Sequence, residues 1–143
     1  MTERDEDVET ANLYLSRVGL DKVRGYLCEG IDTWKNRGMP LEQGGAYTVD
    51  SLYGKLKEED LFVLDVREKE EYAKGHIPGA VNIYVGELEK SLAEVPLDRS
   101  VVSVCSTGNR SGLGASILAR GGFKTVHNLI GGMMAWKEKG YPA

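Results

Sequence analysis

The chain is expected to be an α/β protein, with a central, mostly parallel five-stranded sheet and helices on both faces. Three observations predict it. Continuous apolar runs of strand length recur, Leu61–Val66 and residues 101–104 above all, and such runs mark strands buried on both faces. Between them lie stretches with apolar residues at helical spacing, such as Leu113, Ile117 and Leu118. Glycine and proline separate the two kinds of stretch, and strands alternating with helices at this interval argue for parallel connections.

Taken in order, residues 8–18 predict a helix, with Ala11, Tyr14, Leu15 and Val18 on one face and Gly19 as its stop. A short strand at 22–27 and a helix at 31–37 follow, before Gly38 and Pro40. Glu42-Gln43-Gly44-Gly45 reads as a linker. Residues 47–49 are a candidate edge strand, and Thr48 a candidate cap for a helix carrying Leu52 and Leu56. After strand 61–66 come a charged helix at 68–74, a turn at Gly75–Gly79 and a strand at 80–83. Residues 85–92 read as a helix with Leu88 and Leu92 inward. Strand 101–104, helix 110–120, strand 125–129 and helix 133–139 complete the chain.

The front of the chain echoes its end. Leu15, Arg17, Gly19 and Val23 match Leu118, Arg120, Gly122 and Val126 in step. After one inserted residue, Leu27, Gly30, Trp34, Lys35, Gly38 and Pro40 match Leu129, Gly132, Trp136, Lys137, Gly140 and Pro142. An internal repeat is expected, with residues 1–45 the tail of an incomplete unit plus linker and residues 46–143 the complete one. The front copy has Thr2 where the second has Cys105, and Asp7 where the second has Arg110. It therefore lacks a nucleophile.

Composition narrows the function. A length of 143 residues suits one core and hardly two. A net charge of −4 gives no basic footprint for nucleic acid. Two cysteines are too few for a disulfide framework, no apolar run reaches membrane-spanning length, and the acidic start lacks a signal peptide's apolar core. A cytoplasmic protein is expected. The two histidines, His76 and His127, have no metal-ligand spacing, so neither metal nor cofactor is expected.

Chemistry points to Cys105-Ser106-Thr107-Gly108-Asn109-Arg110-Ser111. A cysteine at the carboxyl end of a buried strand, facing a helix start, sits where α/β proteins place their sites. Loop amides can gather into an anion nest, and the helix dipole adds partial positive charge. Both favour thiolate, the nucleophilic form. Gly108 lets the backbone curl, and Arg110 either orients an anionic donor or ties the loop closed. The alternative is an inert buried cysteine.

With its flanks, this loop strongly resembles that of the rhodanese sulfurtransferases. Asp65-Val66-Arg67-Glu68, then Glu71-Tyr72 and Gly75-His76-Ile77-Pro78-Gly79-Ala80, resembles the family's first signature. Gly131-Gly132-Met133-Met134-Ala135-Trp136, with Gly140 and Pro142, resembles the second. The likeness implies that Cys105 takes a sulfane sulfur from thiosulfate or a small persulfide and passes it to cyanide, sulfite or a thiol. Catalysis is assigned to Cys105 and Arg110, and substrate binding to Ser106, Thr107, Gly108, Asn109, Arg110 and Ser111. Asp65 and Arg67 are read as an ion pair fixing strand ends, His76 as satisfying its turn, and Cys28 as structural.

The incomplete front unit extends the likeness to the carboxyl-terminal part of fusions with a metallo-β-lactamase-fold persulfide dioxygenase. That domain's iron site needs several histidines, so its activity is not carried over. A dimer, or an amino-terminal fusion domain outside this chain, is a further expectation. Two other readings stand beside sulfur transfer. Non-catalytic rhodanese modules bind or regulate, usually without the cysteine. Related phosphatases place five residues between Cys and Arg, whereas here there are four, a ring too cramped for tetrahedral phosphate.

Overall fold

The computed structural model describes residues 7–17, 19, 22–26, 28, 30–39 and 44–143. It divides into two compact units, Met1–Gln43 and Gly44–Ala143. In the first, α1 spans Asp7–Arg17 and α2 spans Gly30–Asn36. These bounds can be set beside the matched sequence positions. Helix α1 ends at Arg17 as α5 (Asn109–Arg120) ends at Arg120, and α2 starts at Gly30 as α6 (Gly132–Glu138) starts at Gly132. The matched glycines also share left-handed backbone: φ is 81° and 93° at Gly19 and Gly122, 68° and 55° at Gly30 and Gly132, 65° and 71° at Gly38 and Gly140.

The strand expected at 22–27 does not form: residues 22–26 carry no strand, and Leu27 lies outside the described residues. Its counterpart β5 (Val126–Leu129) is held between two neighbours. An extended segment with no ladder to join gains no backbone hydrogen bonds from that geometry. Val18 and Pro40 also lie outside the described residues.

The second unit is a five-stranded, all-parallel sheet in the order β1-β5-β4-β2-β3. Its strands are β1 (Gly45–Tyr47), β2 (Leu61–Asp65), β3 (Val81–Asn82), β4 (Ser100–Val104) and β5. The edge strand starts two residues earlier than expected, because Thr48 opens a helix: its hydroxyl accepts from the Ser51 amide at 3.2 Å, launching α3 (Val49–Lys55). Helix α4 (Lys69–Ala73) starts with a capping box between Glu68 and Glu71.

Alternation along the strands builds a core on each face. Val63, Val102, Val104 and Leu129 pack with Val49 and Leu52 of α3 and with Met133 and Trp136 of α6. Leu64, Val66, Val101 and Cys105 pack on the other face with Leu118 of α5 and with Leu88 and Val95. The helix expected at 85–92 is instead a pair of 3₁₀ turns, Leu88–Lys90 and Leu92–Glu94. Its bonds run three residues back, as from Lys90 to Glu87 and Ser91 to Leu88. Gly86 weakens the helix start, and Pro96 disfavours helical backbone at Val95 and closes the segment.

Among the described residues no helix is long and apolar enough to cross a membrane.

Candidate active site

Strand β4 is the middle strand, and Cys105 follows it directly. The chain crosses from β3 at one edge to β4, then continues to β5 on β4's other side. Cys105 thus stands at the carboxyl ends of the strands where the connections change direction, the usual place for an α/β site.

The loop from 105 to α5 curls around the sulfur. Gly108 has φ 109° and donates its amide to Cys105 Sγ at 3.1 Å. A side chain there would occupy a backbone conformation that L-residues rarely adopt, and its Cβ would stand 3.3 Å from the Leu129 carbonyl oxygen. The Ser111 hydroxyl lies 3.3 Å from Sγ and 2.6 Å from Asn128 Oδ1. One hydroxyl proton cannot serve both at once, so Asn128 competes with the sulfur for it. Asn128 in turn donates Nδ2 to the Gly108 carbonyl at 3.1 Å, tying β5 to the loop.

Two effects oppose each other at the thiol. Cys105 is 1% exposed, and burial raises its pKa; hydrogen bonds from the Ser111 hydroxyl and from the amides of Ser111, Thr107 and Gly108 lower it. The net shift is below the ordinary thiol value. Gathered donors thus outweigh desolvation, and the start of the 12-residue helix α5 adds its dipole.

Helix α6 shapes the loop from behind. Met133 donates its amide to the Cys105 carbonyl at 2.8 Å, and Met134 to the Ser106 carbonyl at 3.0 Å. Gly132 makes this approach possible: a Cβ there would stand 2.2 Å from the Cys105 oxygen and 2.7 Å from the Ser106 carbonyl. With those carbonyls bound to α6, the loop's amides are left to the sulfur.

The Arg110 guanidinium is tied to α4. Its Nη1 donates to Glu71 Oε2 at 2.5 Å, and its Nη2 to Glu71 Oε1 at 2.7 Å and Ser106 Oγ at 2.9 Å. Ser106 Oγ also donates to Glu71 Oε1 at 2.7 Å. Arg110 and Ser106 together hold the Glu71 carboxyl down to about 2. This geometry ties Arg110 to α4 and to its own loop.

Strand ends beside the loop are fixed by Asp65 and Arg67. Asp65 pairs with Val104 across β2 and β4, and its carboxylate accepts Arg67 Nη2 at 2.6 Å with both groups buried. Arg67 reaches on to the Gly75 carbonyl at 2.9 Å. His76 places Nδ1 3.0 Å from the Tyr72 carbonyl and stacks on the Tyr72 ring, a structural role. Cys28 is exposed and lies in the first unit.

The loop residues assigned from sequence therefore separate. Thr107, Gly108 and Ser111 face the sulfur. Ser106 and Arg110 face Glu71, and Asn109 is exposed at the first turn of α5. Glu71 and Asn128 were assigned no role from sequence. Glu71 lies within the first signature, and that motif is its signal in the sequence. Asn128 had none, since its contacts span 17 and 20 residues.

The Rhodanese-like domain family model matches residues 48–139. The chain belongs to the rhodanese-like domain family. Two proteins of Bacillus subtilis (strain 168) resemble it. One, YrkF, provisionally named a sulfur carrier protein, is 44% identical over 57% of this chain. That match spans 44% of the relative, less than half its length. The other, YtwF, provisionally named a sulfurtransferase, is 42% identical over 59% of this chain and 82% of its own. Among solved structures, a rhodanese-related protein from Thermoplasma volcanium is 33% identical with a TM-score of 0.63, covering 68% of this chain and 95% of that one. This rhodanese domain places its loop cysteine directly after the middle strand of its sheet.

Proposed function

We propose that the protein is a sulfurtransferase whose Cys105 thiolate carries a sulfane sulfur between a small donor and a thiophilic acceptor. The observation that carries this reading is the convergence of three amides and one hydroxyl on a buried sulfur. Such a nest suits an anionic sulfur both before and after loading. The names of the Bacillus relatives, a sulfur carrier and a sulfurtransferase, support it.

In the loading step the thiolate attacks the donor's outer sulfur, the leaving group departs with the bonding pair, and a Cys105 persulfide remains. Thiosulfate or a low-molecular-weight persulfide serves as donor. In the second step cyanide, sulfite or a thiol attacks the outer sulfur and the Cys105 thiolate leaves. The nest stabilises charge in both steps. No cofactor enters this scheme, and a free nucleophilic thiol fits a reducing compartment such as the cytoplasm.

Residues 1–45 are proposed to be an inert, incomplete rhodanese repeat, supported by the matched helix bounds and matched left-handed glycines. Its pairing with a complete unit resembles the carboxyl-terminal part of the dioxygenase fusions, and dioxygenase chemistry forms no part of the proposal. Steady-state assay with thiosulfate and cyanide tests the function. Wild type should release thiocyanate and Cys105→Ser none; undiminished turnover by the variant would refute the assignment.

A further inference from the structure

Charge at the loop indicates which donor it takes, on the reading that Cys105 carries sulfur. Arg110 is the one cation between residues 105 and 111. Both of its terminal nitrogens are engaged by Glu71, and one of them also by Ser106. The Ser106 hydroxyl, another group an anion could use, donates to the same carboxylate. Two-pronged Arg–carboxylate pairs are among the strongest charge-assisted hydrogen bonds. Glu71 stays ionised throughout the physiological range, so the pair presents no net positive charge to an incoming donor. A dianion must displace a carboxylate from its fork or lie beside it uncompensated.

The loop's other attachment is apolar. Met134, whose amide donates to the Ser106 carbonyl, is 56% exposed, and Ile130 is equally exposed. The Ile130 Cα lies 3.8 Å from where a Cβ on Gly108 would stand. Two exposed apolar residues thus adjoin the loop, one through its amide and one through its Cα, and offer carbon rather than charge.

We propose that the preferred donor is a thiol-borne persulfide, R–S–S–H, and not a sulfur oxyanion such as thiosulfate. Cys105 Sγ attacks the outer sulfur, the new Sγ–S bond forms as the donor's S–S bond breaks, and R–S⁻ leaves with the bonding pair. The outer sulfur keeps its proton, giving Cys105–S–S–H, which then releases the proton to solvent. No external oxidant or reductant is needed. Glu71 is a positioning residue here: it consumes the cation a dianion would need. The carbon of R rests against Met134 and Ile130.

The test is single-turnover loading of the full chain with glutathione persulfide or thiosulfate at low and raised KCl. Glutathione carries its carboxylates away from the transferred sulfur, whereas thiosulfate carries its second charge on the atom next to it. Persulfides are the more reactive donors in themselves, so the informative quantity is how the donor ratio changes. In Glu71→Gln the ratio should move about tenfold toward thiosulfate, as a freed Arg110 takes the sulfonate. Salt should speed thiosulfate loading of wild type and not of the variant. A loosened loop would slow both donors alike. Met134→Gln should slow persulfide loading about threefold more than thiosulfate loading. A donor ratio unmoved by Glu71→Gln, or thiosulfate loading wild type as fast as the persulfide, would overturn the donor assignment alone. Loading by neither donor would overturn sulfur transfer itself.

Discussion

Replacing Ser111 with alanine should raise the pKa of Cys105. The Ser111 hydroxyl is the sole side-chain donor among the groups that lower the thiol's pKa; the others are amides. A hydrogen bond to a charged acceptor contributes about 1.5–3 kcal/mol. Here the contact is long, 3.3 Å, and its proton is shared with Asn128 Oδ1 at 2.6 Å. The loss should therefore fall just below that range, at about 1.4 kcal/mol. Ser111 is fully buried, and alanine leaves too small a void for water, so no replacement donor enters. Thiolate absorbance followed as pH is raised reads the midpoint directly. At a fixed pH below it, loading by a sulfane donor should slow by about tenfold. An unchanged or lowered midpoint in Ser111→Ala would show that the amides alone set the thiolate.

Three further changes test other parts of the structure. Gly132→Ala places a Cβ 2.2 Å from the Cys105 oxygen at a φ of 55°; it should cost about 3 kcal/mol in urea unfolding and abolish sulfur loading. Asp65→Asn leaves the buried Arg67 charge without its carboxylate and should cost about 3–5 kcal/mol by the same unfolding assay. The Glu71 carboxyl sits near 2 against an ordinary 4.5. Its ion pair therefore contributes fully above pH 4.5 and is lost as pH falls toward 2. Both partners are about one-third exposed, so solvent screening reduces the contribution to about 1 kcal/mol. Glu71→Gln should remove that pH dependence in acid unfolding curves.

The strands were legible because each is a local pattern. Leu61–Val66 is apolar throughout except for Asp65, and the cysteine-to-arginine spacing and Gly108 mark the loop without any tertiary knowledge. Residues 85–92 misled because Leu88 and Leu92 stand four apart, a spacing that two successive 3₁₀ turns also produce. Residues 22–26 carry β-formers such as Val23 and Tyr26, but among the described residues no strand pairs with them, which no local pattern records. Arg110 could be placed in the loop from sequence, but its role could not, since Glu71 lies 39 residues away. Gly132 was visible as part of a motif; that its missing Cβ makes room for the Cys105 carbonyl depends on how α6 docks.

The central claim is that the nest around residue 105 holds a sulfur that moves. Intact-protein mass measurement after brief exposure to a sulfane donor, followed by peptide mapping, tests it most directly. The added mass of one sulfur atom on Cys105, absent from Cys105→Ser and removed by cyanide, is the predicted result. Sulfur found on Cys28, or a Cys105 that stays unmodified while reacting with a small alkylating reagent, would contradict it.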